Sequence, residues 1–314
     1  MATAFIFPGQ GSQVVGMGKA LAEAFPVARA VFDEIDAALA QKLSTLMWEG
    51  PPEELTLTAN AQPALMAVSL AAIRVLEAEA GLSLKNDAAF VAGHSLGEYS
   101  ALAAAGTFSI GDAARLLRVR GDAMQKAVPA GEGAMAALLG VDLDQARAIA
   151  ADAAEGQVCE AANDNGGGQV VLSGAKAAVE RAIALAGERG VRRAMLLPVS
   201  APFHCALMQP AADAMQAALA EVTMQAPVVP VMANVGAAPL TDPAAIRASL
   251  VAQVTGTVRW RECVEAMAAA GVTQFYEVGS GKVLAGLVKR VAAGTTATSI
   301  GSPDDIAAYK AQKG

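Results

Sequence analysis

Cysteine is scarce in this 314-residue chain: Cys159, Cys205 and Cys263 are an odd number with no C-x-x-C spacing, which excludes a disulfide framework and gives no zinc signature. They read as ordinary buried thiols. A block of lysine and arginine is also missing, and with a net charge of -7 the chain carries no electrostatic footprint for nucleic acid. Long uncharged apolar runs are absent too. Hydrophobic residues reach 54% and mean hydropathy is +0.40, but the excess is largely alanine and charge cuts the long runs, as Arg74 does within residues 64–75. No stretch reaches the roughly 18–20 uncharged apolar residues of a membrane span, so no membrane partner is expected. The first lysine is Lys19; with no basic region before the first apolar run, a signal peptide is not expected and a cytoplasmic location is.

The chain is long enough for one large domain with a smaller insertion. Ala4-Phe5-Ile6-Phe7 reads as a buried strand running into the loop Pro8-Gly9-Gln10-Gly11-Ser12-Gln13, and helical periodicity follows over residues 19–25, 31–39 and 63–79. An apolar strand at 88–92 and a helix over 111–128 continue an α/β pattern. Residues 134–197 change character to a self-contained βαββαβ order, flanked by Pro129-Ala130-Gly131-Glu132-Gly133 and Pro198-Val199-Ser200-Ala201-Pro202. Alternation then resumes: helix 210–221, strand 228–233, helices 243–254 and 262–270, strand 273–278, helix 282–293, and a terminal strand and helix. The expected architecture is a large α/β-hydrolase-like domain with a mostly parallel sheet, built from residues 1–130 and 199–314, with a ferredoxin-like domain inserted over 131–198.

Gly93-His94-Ser95-Leu96-Gly97 follows the apolar strand and opens a helical segment, the setting of a strand-turn-helix nucleophile elbow. Glycine two residues either side of the serine leaves room where strained backbone brings strand and helix together. Ser95 is therefore the candidate nucleophile, and the Leu96 amide, at a helix N-terminus, a candidate oxyanion donor. A serine hydroxyl needs a base, and the chain has two histidines. His94 adjoins Ser95, where neighbouring side chains diverge, leaving His204 as the base. No third, acidic member stands in a diagnostic position; Asp213 is the nearest downstream carboxylate, and a carbonyl or amide serves equally as the acceptor that orients imidazole. The Gly9–Val14 loop begins like a dinucleotide fingerprint, but Val14 occupies the position of the third glycine. Gln10 becomes instead a candidate second oxyanion donor.

Six segments, in order and at compatible spacing, resemble the malonyl-CoA:acyl-carrier-protein transacylase family of fatty acid synthesis. They are Gly9–Gln13, Gly93–Tyr99, Arg120-Gly121 to Met124-Gln125, Gln169–Gly174, Pro202-Phe203-His204 and Tyr276–Lys282. The resemblance implies that Ser95 is acylated, that His204 is its base, and that Leu96 and Gln10 form the oxyanion hole. It implies that Arg120 binds the free carboxylate of malonate, a role suited to a planar guanidinium; from the residues alone an exposed helix arginine remains open. It further implies that the Gln253 main-chain carbonyl accepts from the imidazole, that Asn163 and Asn165 lie at the mouth of the cleft, where a tight turn before Gly166 explains them equally, and that Phe203 disfavours an α-methyl branch. Two departures stand out: Ser280 replaces a proline, and Gly166-Gly167-Gly168 makes a flexible loop.

The implied reaction moves malonyl from malonyl-CoA to the phosphopantetheine thiol of holo acyl carrier protein through a malonyl-serine ester. It needs no metal and no cofactor, and a monomer is expected. A serine esterase or thioesterase on the same elbow, a stand-alone polyketide acyltransferase and a non-catalytic carrier-binding module are the alternatives. An acidic carrier calls for a local positive surface, for which Arg189, Arg192, Arg193, Lys282, Lys289 and Arg290 are the candidates.

Overall fold

Ala4, Phe5, Ile6 and Phe7 are all fully buried, the environment of a central strand covered on both faces. Phe5 and Phe7 point into one hydrophobic cluster and Ala4 and Ile6 into another, the period-two alternation of a strand between two helical layers. The computed structural model describes residues 2–313. Its ten strands, β1 (Ala2–Phe7), β2 (Phe90–Gly93), β3 (Gly133–Leu139), β4 (Cys159–Gly166), β5 (Gln169–Ala175), β6 (Arg193–Leu196), β7 (Val231–Ala233), β8 (Ala238–Leu240), β9 (Val272–Val278) and β10 (Thr296–Ile300), form two sheets.

The larger sheet has the order β10-β9-β1-β2-β7-β8, and every pairing is parallel except that of β8 on β7 at the edge. The carboxyl ends of β1, β2, β7 and β9 therefore open on one rim, where ligand sites of open α/β sheets form. The smaller sheet has the order β4-β5-β3-β6, is antiparallel throughout, and packs the helices Leu143–Ala154 and Lys176–Glu188 over a hydrophobic cluster of its own. The far end of β4 is tied to the larger body: Val258 N–H donates to Ala162 O (2.8 Å) and Asp164 N–H to Val258 O (2.9 Å), while the Arg261 guanidinium pairs with the buried Asp164 carboxylate at 2.8 Å.

Several boundaries differ from the sequence reading. The helix expected over 63–79 runs Thr58–Ala80 and takes Pro63 inside it, early enough that the lost N–H forfeits a single bond near the N-terminus. It has the length and apolarity of a membrane span, yet 89% of its most apolar window is buried inside the fold, as the core helix of this domain. The strand expected over 228–233 shortens to Val231–Ala233, although Pro230 still accepts from Val91 N–H at 3.0 Å. Helices Leu43–Glu49 and Pro52–Thr56 and the edge strand β8 escaped the sequence reading; β8 carries Pro239, tolerated at an edge. The three glycines 166–168 all take positive φ in the β4–β5 turn, and a Cβ on Gly166 would meet Val291 Cγ2 at 2.3 Å. They are a tightly packed left-handed turn rather than a slack loop.

Candidate active site

The elbow forms where β2 ends. Ser95 has φ +53°, in the left-handed region that L-residues rarely occupy. Backbone crowds it on both sides: a Cβ on Gly93 would lie 1.9 Å from the Gly97 carbonyl, and one on Gly97 would lie 2.3 Å from Phe7 O at the end of β1. The helix Gly97–Ala104 starts directly behind.

His204 also takes a left-handed conformation, φ +59°, in the segment that returns from the small sheet. Its Nδ1–H donates to the Gln253 main-chain carbonyl at 2.9 Å. Because a carbonyl can only accept, Nε2 is left as the acceptor, and Ser95 Oγ lies 2.7 Å from it. Burial, with the nearby Arg120 charge and His94 adding to it, depresses the His204 pKa to about 3, so the imidazole is neutral at physiological pH. His94 points elsewhere: its Nε2–H donates to Asn165 Oδ1 at 2.9 Å, and its ring lies against Trp260.

Behind the elbow stands a polar buttress that the sequence reading missed. Asn234, one residue past β7, accepts the Ser95 N–H on Oδ1 at 2.8 Å and donates from Nδ2 to Gly93 O at 2.7 Å, fixing both strand and turn. Gln253 contributes more than its carbonyl. Its Nε2 donates to Ser95 O at 3.0 Å and to the buried carboxylate of Glu98 at 2.8 Å, while its Oε1 accepts from Arg120 Nη2 at 3.0 Å. Glu98 also accepts from Asn234 N–H at 3.0 Å. Glu98 lay inside the Gly93–Tyr99 segment with no role assigned to it and Gln253 was expected only for its carbonyl, while the one signal for Asn234 was its place directly after the end of a parallel strand.

Arg120 is 1% exposed. Its Nη1 donates to Gln62 Oε1 at 2.7 Å, its Nη2 to Ser95 Oγ at 3.1 Å, and its guanidinium carbon lies 5.6 Å from the Tyr99 ring centroid. Nε has no partner among the described residues. The exposed helix arginine that the sequence left open is thus overturned. Burial pulls its pKa down, but a guanidinium begins so high that the group stays charged. A buried cation bonded to neutral groups beside a hydroxyl invites an anion.

A cleft of about 480 Å³ opens over Ser95, lined by Gln10, Gln62, His94, Arg120, Met124, Met135, Asn163, Phe203 and His204 among others. Gln10 reaches it from the β1 loop, where its Nε2 donates to Thr58 Oγ1 at 3.3 Å. Ser280 Oγ–H donates to Ser12 O at 2.7 Å, so the residue standing where the family pattern has proline braces this same loop. Leu96 is buried and Asn165 is held on His94 rather than lining the cleft. The Leu96 and Gln10 main-chain N–H groups have no acceptor among the described residues. Asp213 pairs with Gln209 on an exposed helix face, away from the imidazole.

A serine on an elbow with a neutral imidazole and a buried guanidinium at its hydroxyl is the equipment of acyl transfer, and residues 4–306 match the acyl transferase domain family, to which the chain belongs. Its relatives are more specific. The malonyl CoA-acyl carrier protein transacylase of Escherichia coli (strain K12) is 49% identical over 97% of this chain and 97% of its own, and that of Bacillus subtilis (strain 168) is 47% identical over 96% and 94%. The solved acyl-carrier-protein-S-malonyltransferase from Bartonella henselae superposes with a TM-score of 0.97 at 57% identity, covering 100% of this chain and 99% of that one. A malonyl-transacylase solved in complex with its holo type II polyketide-synthase acyl-carrier protein superposes with a TM-score of 0.96 at 41% identity, over 99% of this chain and 100% of that one.

Proposed function

We propose that this protein transfers the malonyl group from malonyl-CoA to the phosphopantetheine thiol of holo acyl carrier protein through an ester on Ser95. The observation that carries the proposal is the meeting of three groups at one oxygen: Ser95 Oγ lies 2.7 Å from His204 Nε2 and 3.1 Å from Arg120 Nη2. His204 takes the hydroxyl proton as Oγ attacks the thioester carbon, and the tetrahedral oxyanion faces the Leu96 and Gln10 amides. Collapse expels coenzyme A, whose sulfur takes the proton from His204. In the second half the carrier thiol gives its proton to His204, attacks the malonyl ester, and Ser95 leaves with that proton. Arg120 holds the distal carboxylate throughout, which fixes the reacting carbonyl over Oγ. Incubation with malonyl-CoA should add one malonyl group by intact mass, and none in Ser95→Ala; an unmodified wild-type protein would refute the scheme.

In this reading the larger sheet and its helices make an α/β-hydrolase-like catalytic domain of residues 1–130 and 199–314. Residues 131–198 make an inserted ferredoxin-like domain, supported by the β4-β5-β3-β6 order; Asn163 and Phe203 line the cleft between the two, and Asn165 acts on it only by holding His94. The protein acts as a cytoplasmic monomer. An esterase has no use for a buried guanidinium at its nucleophile, which favours transfer of a carboxylated acyl group over hydrolysis. Service to a polyketide carrier is the second reading, favoured by the likeness to the transacylase solved with a type II polyketide-synthase carrier protein; parallel assays with fatty-acid and polyketide carriers separate the two.

For the carrier we propose the surface around the β4–β5 turn and the helix Val283–Val291. A Cβ on Gly167 would lie 3.0 Å from Arg290 Cβ, and one on Gly140 would lie 3.2 Å from Arg192 Cβ, while Gly168 approaches Gly140. Arg290 and Arg192 therefore flank one turn, with Lys289 beside Arg290. Arg189 is paired with Asp152 and is the weakest member. Reversing charge at Lys282 and Lys289 should raise the carrier KM and flatten its dependence on salt.

A further inference from the structure

Glu98 is 1% exposed and the reaction above does not use it. It lies one turn beyond the nucleophile, beneath the elbow, and the hydrogen bonds it accepts come from neutral groups, the Asn234 N–H and the Gln253 amide. Arg120 likewise donates to neutral groups, Gln62, Gln253 and the Ser95 hydroxyl. A buried carboxylate and a buried guanidinium thus hold opposite ends of one side-chain amide: Glu98 Oε2 is 2.8 Å from Gln253 Nε2, and Gln253 Oε1 is 3.0 Å from Arg120 Nη2. An acceptor at one end fixes which way the amide faces, and so offers its oxygen to the guanidinium at the other.

We propose that Glu98 is the resident counter-ion of Arg120, joined to it through the Gln253 amide, and that it opposes the substrate carboxylate for the same positive charge. Glu98 is a positioning residue in this scheme, and the inference rests on Arg120 receiving the malonyl carboxylate. When the substrate anion arrives, two negative groups share one cation in a low-dielectric site, and the resident one relieves the repulsion by taking up a proton. Burial, only partly offset by the Asn234 and Gln253 hydrogen bonds and the Arg120 charge, raises the Glu98 pKa to about 7, where such uptake is accessible. The other groups facing it hold their state there. Arg120 stays cationic, burial pushes Tyr99 and the Cys263 thiol further up, His204 is neutral, and Asn234 and Gln253 do not titrate.

Ser95→Ala binds without acylating, and malonyl-CoA titrated into it at pH 7 by calorimetry, in two buffers of different ionisation enthalpy, tests the idea. The expected result is uptake of up to about half a proton with malonyl-CoA and none with acetyl-CoA. Adding Glu98→Gln, whose amide oxygen can keep both hydrogen bonds while losing the charge, should abolish the uptake and tighten malonyl-CoA roughly tenfold, leaving acetyl-CoA unchanged. Buffer-independent heats, or a Glu98→Gln protein that binds malonyl-CoA no more tightly, would overturn the counter-ion role. If the double variant does not fold, the buffer pair on Ser95→Ala decides alone. Wild-type protein acylated by malonyl-CoA without proton uptake in that experiment would sink this inference only, whereas malonyl-CoA that neither binds nor acylates would take the proposed function with it.

Discussion

Arg120 Nη2 donates to Ser95 Oγ at 3.1 Å, so a buried cation and the candidate nucleophile share a hydrogen bond before any substrate is present. In the proposed reaction an incoming carboxylate takes the place of the hydroxyl as acceptor from Arg120, while Ser95 keeps its contact with His204. Arg120→Ala should therefore lower kcat/KM for malonyl-CoA by about 10²–10³-fold, the scale of losing a buried charged pair, and change acetyl-CoA turnover only severalfold. Arg120→Lys should recover little, because an ammonium cannot present the planar fork. Equal losses for both substrates would mean that the guanidinium merely supports the elbow.

The two elbow glycines are fixed by backbone rather than by side chains. With carbonyl atoms 1.9 Å and 2.3 Å from the added Cβ, Gly93→Ala and Gly97→Ala should each cost more than about 4 kcal/mol, at the extreme of point substitutions. Thermal unfolding and soluble yield check this; either variant folding with a near-native melting temperature would contradict the packing.

That much of the site was legible in the sequence follows from how local the elbow is. Gly93, Ser95 and Gly97 act on each other within one turn, and with two histidines in the chain, elimination reached His204 across 109 positions. The buttress was illegible for the opposite reason. Asn234 and Glu98 matter only because β7 pairs with β2 in register Val91 with Val231, and nothing in the alanine-rich segments around them marks that pairing. The strand β7 and the helix that absorbs Pro63 were legible as elements but not in their bounds: β7, at three residues, is too short to show a period, and packing on every side of the helix overrides the proline signal.

Acid sensitivity should originate largely in His204. Its pKa falls from 6.5 to about 3 on folding, so between these values the unfolded chain binds a proton that the folded chain refuses. Stability gained above pH 6.5 is then lost progressively toward pH 3. Glu98 acts in the other direction: raised from 4.5 to about 7, it stabilises fully below pH 4.5 and loses that contribution as pH rises through 7. Urea midpoints measured from pH 4 to 8 should show the acid decline flattened in His204→Asn by on the order of 3 kcal/mol, with asparagine chosen for its tolerance of positive φ. His94, buried and shifted down in the same way, leaves a residual slope. An unchanged acid decline would place the titration elsewhere.

Phe203 closes the cleft next to His204 and is 8% exposed. Phe203→Ala should raise the ratio of methylmalonyl to malonyl transfer by about 10–200-fold, the worth of room for one methyl group. Competition of the two coenzyme A esters, read on the carrier protein, measures it; an unaltered ratio would move the selectivity to another wall.

The imidazole of His204 is aimed by a peptide carbonyl, that of Gln253, instead of by a carboxylate side chain. Every amino acid supplies that oxygen, so no replacement at position 253 can delete the aiming group itself. Saturation of this one codon would vary the grip on Arg120 and Glu98 while the base keeps its bearing, a separation that a Ser-His-Asp arrangement does not permit.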